Sequence, residues 1–175
     1  MSLDLSAERS ARLKALVFEH FQQVDLKAPS KGEGETAFTR RVLQPSMREL
    51  LSEIGFSGLL PTGDGAASIQ SVHFLNLHFR PDMGISLFNR KVLAIEVKLL
   101  RGASRQNSLA TAVGQATLYR AAGYEHVGVL LIDVAGKCTD QDIQDSTQSL
   151  SEAGLTLIVR RIAQTTLAPH PSAIK

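Results

Sequence analysis

Cysteine occurs once in this chain, at Cys138, and tryptophan not at all. A single thiol cannot close an intramolecular disulfide, and no group of cysteines and histidines has the spacing of a structural zinc site, so a reducing compartment is expected. Long hydrophobic runs are missing too. No stretch reaches the ~18 apolar residues of a membrane span. Asp4, Glu8, Arg9 and Arg12 interrupt the apolar residues near the start, which argues against a signal-peptide core. The expectation is a cytoplasmic protein with no membrane partner. Nor is one sign of charge in excess: 19 Lys and Arg against 17 Asp and Glu leave a net charge of +2. This gives no global sign of nucleic-acid binding of the histone or polybasic-tail kind, and any basic patch must be local. Internal repeats and low-complexity tracts are absent as well.

What is present suffices for one continuous core, since 43% of 175 residues are hydrophobic. Ser6 to Val24 places Leu13, Leu16, Val17, Phe21 and Val24 at helical spacing. A break follows at Lys27 to Gly34. From Glu35 to Gly55 the apolar positions again keep helical phase, with Gly55 as C-terminal cap. Pro45 is expected to kink or split this helix, with Ser46 and Glu49 as a capping box for a second start. Leu59 to Ala67 reads as a loop. Ile69 to Phe79, Met83 to Phe88 and Val92 to Leu100 are rich in β-branched and aromatic residues, with a turn at Asn89-Arg90, and predict an antiparallel three-stranded meander. Ala103 to Ala122 predicts a helix and Val127 to Val134 a strand covered on both faces. Thr139 to Ala153, capped by Thr139, predicts a polar helix, and Leu155 to Ile162 a last strand. The order is (α)αβββαβαβ, an α/β fold. It divides into an N-terminal helix and linker (1–31), a core (32–163) and a flexible C-terminal tail (164–175).

Chemistry concentrates in Val92 to Leu100. Glu96 and Lys98 sit inside an otherwise apolar strand, where an uncompensated charge is expensive. Side chains alternate along a strand, so these two share one face, opposite Ile95, Val97 and Leu99. A self-compensating pair on a partly exposed edge is the bland explanation. Pro81-Asp82, just before the preceding run, is read singly as a turn or strand start. Taken together, two carboxylates can hold a hard divalent cation through oxygen, and a lysine beside them can contact an attacking water or a phosphate oxygen.

Pro81-Asp82 followed, after thirteen intervening residues, by Glu96-Val97-Lys98 resembles the signature of the PD-(D/E)XK nucleases, and the resemblance extends over roughly Glu33 to Ile162. It implies a restriction-endonuclease-like core, a mixed sheet flanked by helices. It implies a metal-dependent phosphodiester hydrolase, with Asp82, Glu96 and the Val97 carbonyl holding Mg2+ or Mn2+. The helix before the meander often adds a glutamate in that family. Glu35 lies on the stripe of Phe38 and Val42 while Glu33 points away, although a first-turn glutamate also suits the helix dipole. Gln115 and Tyr119, one turn apart, resemble the Gln-x-x-x-Tyr motif of the RecB-like branch, and are otherwise an ordinary helix pattern. No upstream histidine ligand of that branch is matched: His20, beside Leu16, Val17 and Phe21, is expected to pack. Lys98 is expected either to accept a proton or to stay charged and orient the nucleophile.

Other constellations carry less. Gly63-Asp64-Gly65 lacks the lysine of a phosphate-binding loop, and no Gly-x-Ser-x-Gly elbow occurs. His73 and His78, five apart in one expected strand, should face opposite sides. Cys138 lies in a polar loop with no evident base. Arg40, Arg41 and Arg48, and Arg101 and Arg105 after the Lys98 strand, can serve as phosphate contacts or as a solvated face. The expected partner is nucleic acid, DNA by resemblance, with a homodimer or larger complex also open. The alternative function is a protein that keeps the fold and binds nucleic acid or a partner without cutting.

Overall fold

The computed structural model describes residues 7–56, 71–87, 90–102 and 105–162. The expected loop at Leu59 to Ala67, residue Asn89 of the expected turn, the start of the helix at Ala103 and the tail 164–175 lie outside them.

The first helix, α1 (Ala7–Gln23), buries Leu13, Val17 and Phe21, as their spacing predicts, together with Phe18, while Leu16 and Val24 are half-buried. Its last carbonyls are met from a distant strand: Arg160 donates to the carbonyls of Phe21 at 2.9 Å and Val24 at 2.8 Å, placing a cation at the negative end of the helix dipole.

The second helical run is continuous rather than split at Pro45. It comprises α2 (Glu35–Phe38), a π turn (Thr39–Leu43) and α3 (Gln44–Glu53). Pro45 has no N–H for the Arg41 carbonyl, and its ring would press on that carbonyl in a regular α turn. The wider π turn, in which the Gln44 N–H bonds the Thr39 carbonyl, takes up the mismatch without breaking the helix. The second start expected at Ser46 and Glu49 is therefore not made. The N-cap position of α3 is Leu43, in helical conformation, and the Ser46 hydroxyl bonds His20 Nε2 at 2.7 Å instead. His20, which also meets the Phe21 ring edge-on, ties α1 to α3. Gly55, with φ +79°, follows α3 as its C-terminal glycine.

The expected three-stranded meander is corrected. Its first run folds back on itself as a separate two-stranded sheet, β1 (Val72–Phe74) with β2 (Leu77–Phe79). The reversal falls on Leu75 and Asn76, at φ 49° and 62°, the left-handed pair of a two-residue type I′ turn. His73 and His78 consequently do not face opposite sides. They are cross-strand partners with ring centroids 4.1 Å apart.

The main sheet has the order β3 (Met83–Leu87), β4 (Arg90–Leu100), β5 (His126–Asp133), β6 (Leu155–Arg161). β3 and β4 are antiparallel, while β4, β5 and β6 are parallel. Arg90, expected in the turn, already belongs to β4. The parallel pairs are joined by crossover helices α4 (Arg105–Ala121) and α5 (Asp140–Glu152), as parallel strands require. The predicted cap of α5 is present: Thr139 and Asp142 form a reciprocal capping box. The chain is thus a mixed α/β fold, with a mixed sheet flanked by helices. One core packs α1, α2 and α3 on one face, around Phe21, Phe38, Met47, Ile95 and Val97. The other packs α4 around Ala94, Leu100, Ala112, Ala116 and Tyr119. Among the described residues no helix is long and apolar enough to cross a membrane.

Candidate active site

The site follows from a difference in strand length. β3 meets β4 from Leu87↔Arg90 to Met83↔Ile95, but β4 runs on to Leu100. Among the described residues the β4 edge has no strand partner on that side beyond Met83, and Asp82 is the residue that turns off there. Asp82 Oδ2 accepts a hydrogen bond from the Val97 N–H at 2.8 Å. In an extended strand the N–H and C=O of one residue point to the same neighbour, so the Val97 carbonyl faces the same open edge as Asp82.

Glu96 and Lys98 share a face, as their spacing predicts: Lys98 Nζ lies 2.8 Å from Glu96 Oε1. Glu35, in the first turn of α2, reaches the same ammonium, its Oε2 3.1 Å from Lys98 Nζ. The angle of that contact does not make a hydrogen bond, and Glu35 Oε2 is a buried oxygen without one among the described residues. The second oxygen of Glu96 is taken from the opposite side. Tyr119 on α4 donates its hydroxyl to Glu96 Oε2 at 3.0 Å. Glu96, Lys98, Glu35, Asp82, Val97 and Tyr119 are thereby brought to one place. Gln115 lies one turn before Tyr119, with its Oε1 buried and lacking a hydrogen-bond partner among the described residues.

Three carboxyl groups here face one ammonium, and burial sharpens the imbalance. Glu96 is 2% exposed, and desolvation together with the charge of Asp82 pushes its pKa up to about 7, against the opposing effect of Lys98 and Tyr119. Desolvation likewise raises Asp82, outweighing the Val97 N–H and Lys98 that favour its charged form. Burial acts to lower Lys98, but the hydrogen bond and charge of Glu96, with Glu35 and Asp82, prevail and hold it above its ordinary value. Burial and the neighbouring Glu96 raise the Tyr119 phenol, which stays a neutral donor. Glu96 and Asp82 therefore hold protons more tightly than isolated carboxyls.

Among the described residues no three side chains of the types His, Cys, Asp and Glu are gathered around one point. The Lys98 ammonium stands between Glu35 and Glu96. The donor set nonetheless suits a hard divalent cation: all oxygen, in carboxylate excess, with one buried carboxylate oxygen unbonded.

The arginines expected to meet nucleic acid divide. Arg40 lines a cleft beside Asp82. Arg41 is held by Glu33 in a fork, Nε to Oε1 and Nη2 to Oε2, both at 2.7 Å, which keeps the Glu33 carboxyl down at about 2. Arg101 Nη2 reaches the Ser30 carbonyl at 3.4 Å. Arg105 Nη2 donates to Cys138 Sγ at 3.1 Å. It lines a larger cavity of about 410 Å³ with Leu100, Leu109, Leu131 and Ile143. That cavity is mostly apolar and is not lined by Glu35, Asp82 or Glu96; it lies under α5, which buries no residue fully. A smaller cleft is lined by Asp82 among the site residues.

No family model, no curated protein and no solved structure matches the chain.

Proposed function

We propose that the protein is a metal-dependent nuclease with a restriction-endonuclease-like fold of the PD-(D/E)XK type, hydrolysing phosphodiester bonds, with DNA as substrate. The observation that carries the reading is the charge imbalance at the open edge of β4: Glu35, Asp82 and Glu96 against Lys98, with Glu96 raised to about 7. Protons balance the excess in the metal-free protein, and a divalent cation would balance it with bonds to oxygen.

In this reading Asp82, Glu96 Oε1 and the Val97 carbonyl hold Mg2+ or Mn2+, and Glu35 completes the shell. The ion would acidify a water and stabilise charge on the phosphate. The chain's own residues set the geometry. Tyr119 fixes Oε2 of Glu96, and Lys98 holds Oε1. The Val97 N–H fixes one oxygen of Asp82. Lys98, charged in its present surroundings, orients the attacking water or meets a phosphate oxygen, in preference to serving as a base.

A second reading has one observation in its favour: Lys98 already contacts Glu35 and Glu96, as in a self-compensated ion cluster. A protein of that kind would bind nucleic acid or a partner without cutting. Incubation with single-stranded, duplex and branched DNA and with RNA, in Mg2+, Mn2+ or EDTA, separates the two. The nuclease reading expects metal-dependent cleavage; binding of these substrates without cleavage of any would overturn it.

A further inference from the structure

The cavity of about 410 Å³ has the sheet as its floor, with Leu100 from β4, Leu131 from β5, and Leu157 and Val159 from β6. Arg105 and Leu109 of α4 form one wall, and α5 forms the roof. Leu131 is the register partner of Lys98, so the floor borders the carboxylates on the same face of the sheet.

The roof explains why this space stays open. Along α5 only Ile143, Ser146 and Leu150 are half-buried, a single inward stripe at spacings of three and four. Its middle position is a serine, too short to fill the gap between helix and sheet where an apolar side chain would gain by burial. Both Ile143 and Ser146 line the cavity. The apolar walls are aliphatic: among the described residues no aromatic ring lines the space. A nucleobase would find no ring to stack on, whereas an alkyl chain fits such walls. At ~30 Å³ for each heavy atom, the share of a water in the liquid, the volume takes on the order of a dozen.

The polar part of the lining is rich in donors. Arg105 spends one Nη2 N–H on Cys138 Sγ at 3.1 Å. The side chains of Gln106, Ser146 and the exposed Lys137 make no hydrogen bond or ion pair among the described residues. The one carboxylate in the lining, Asp142, is already engaged, its Oδ2 accepting from the Thr139 N–H at 3.0 Å and hydroxyl at 2.6 Å. Asp133, bonded to the Cys138 N–H at 2.7 Å, offsets part of the Arg105 charge without lining the cavity, and the Lys137 charge remains. An anionic head that only accepts answers this set, and a carboxylate can take two N–H bonds from one guanidinium.

We propose that the cavity binds a small amphipathic carboxylate, its alkyl chain against Leu100, Leu109, Leu131 and Ile143 and its head met by Arg105 and Lys137. The site is independent of the nuclease reading.

The test uses the whole protein and decanoate, kept below the concentration at which it forms micelles. Calorimetry should give one site, and decanoate should raise the unfolding temperature. Acetate, the head alone, should do neither. Decanol keeps the tail and should bind about tenfold more weakly. Ser146→Leu fills the gap: the free protein should unfold at the same temperature or higher, and decanoate binding should be lost. Lys137→Glu, at an exposed position, keeps the test decisive if the leucine variant misfolds; it should weaken decanoate about tenfold and leave decanol unchanged. No binding of decanoate, decanol as tight as decanoate, or decanoate binding unchanged in either folded variant overturns the proposal. So does deoxyadenosine monophosphate binding more tightly than decanoate and displacing it, which would make the cavity a nucleotide site.

Discussion

The Tyr119 hydroxyl donates to Glu96 Oε2 at 3.0 Å, across 23 positions in the chain, and it does so inside the core. The bond is the link between the helix after β4 and the carboxyl on β4, and it favours the charged form of Glu96. Tyr119→Phe removes the donor and leaves a buried carboxylate oxygen unpaired. The Glu96 pKa should rise further, metal binding near neutral pH should weaken several-fold, and stability should fall by about 1–3 kcal/mol. Denaturant unfolding and a metal titration measure both. Unchanged metal affinity in a folded Tyr119→Phe protein would remove Tyr119 from the site.

The pH dependence of the metal-free protein has a definite direction. Glu96 moves from 4.5 to about 7 on folding, so the folded state holds its proton more tightly. Its contribution is fully present below about 4.5 and is lost as pH rises through about 7, on the order of 3 kcal/mol at most. Asp82 acts in the same sense. His20 and His126 oppose it, being lowered mainly by burial, so they favour folding as pH rises. The difference between the unmutated protein and Glu96→Gln isolates the carboxyl. In EDTA, the glutamine variant should gain relative stability between pH 5 and 8, in steps that follow the Glu96 titration. A pH-independent difference would show that Glu96 titrates normally.

The Glu35 side chain is 37% accessible, against 2% for Glu96. Glu35→Gln should lower metal-dependent cleavage about tenfold or more, with thermal stability nearly unchanged. Full activity together with a large stability loss would instead assign Glu35 to the helix dipole of α2.

Much of the fold was legible because burial leaves a periodic mark. The α1 stripe, the apolar run of β5 and the Thr139 cap all appear where the sequence places them. Glu96 and Lys98 were legible as charges inside an apolar strand, and Glu35 by its phase with Phe38. The hairpin was not, because its turn uses Leu75 where a glycine, asparagine or aspartate would have marked it. The π turn was hidden for a related reason: Pro45 signals a mismatch but not how the helix resolves it. Thr39 carries no motif at all. Its buried hydroxyl, without a hydrogen-bond partner among the described residues, is a feature of packing that a sequence pattern does not contain.

The hairpin correction has its own test. Leu75 sits at φ 49° with 81% of its surface exposed, so it holds a left-handed conformation without packing in return. Leu75→Asn suits the first position of a type I′ turn. Amides of Val72 to Phe79 should then exchange several-fold more slowly, with the rest of the chain unchanged. Faster exchange at those amides would contradict the turn assignment.

The last prediction separates a nuclease from a non-catalytic relative, and it rests on Lys98. The ammonium contacts Glu96 at 2.8 Å and Glu35 at 3.1 Å. Removing it takes away the ammonium that Glu35 and Glu96 contact, so Lys98→Ala should lose stability in EDTA and recover part of it with Mg2+ or Mn2+. If Lys98 orients the attacking water, the variant should lose cleavage by orders of magnitude while DNA binding persists through the remaining phosphate contacts. If the protein only binds, the substitution removes at most one positive contact, and the small affinity loss shrinks at high salt. Binding and turnover measured on the same DNA, at matched metal and salt, give both numbers. Cleavage by Lys98→Ala at the unmutated rate would exclude Lys98 from the chemistry.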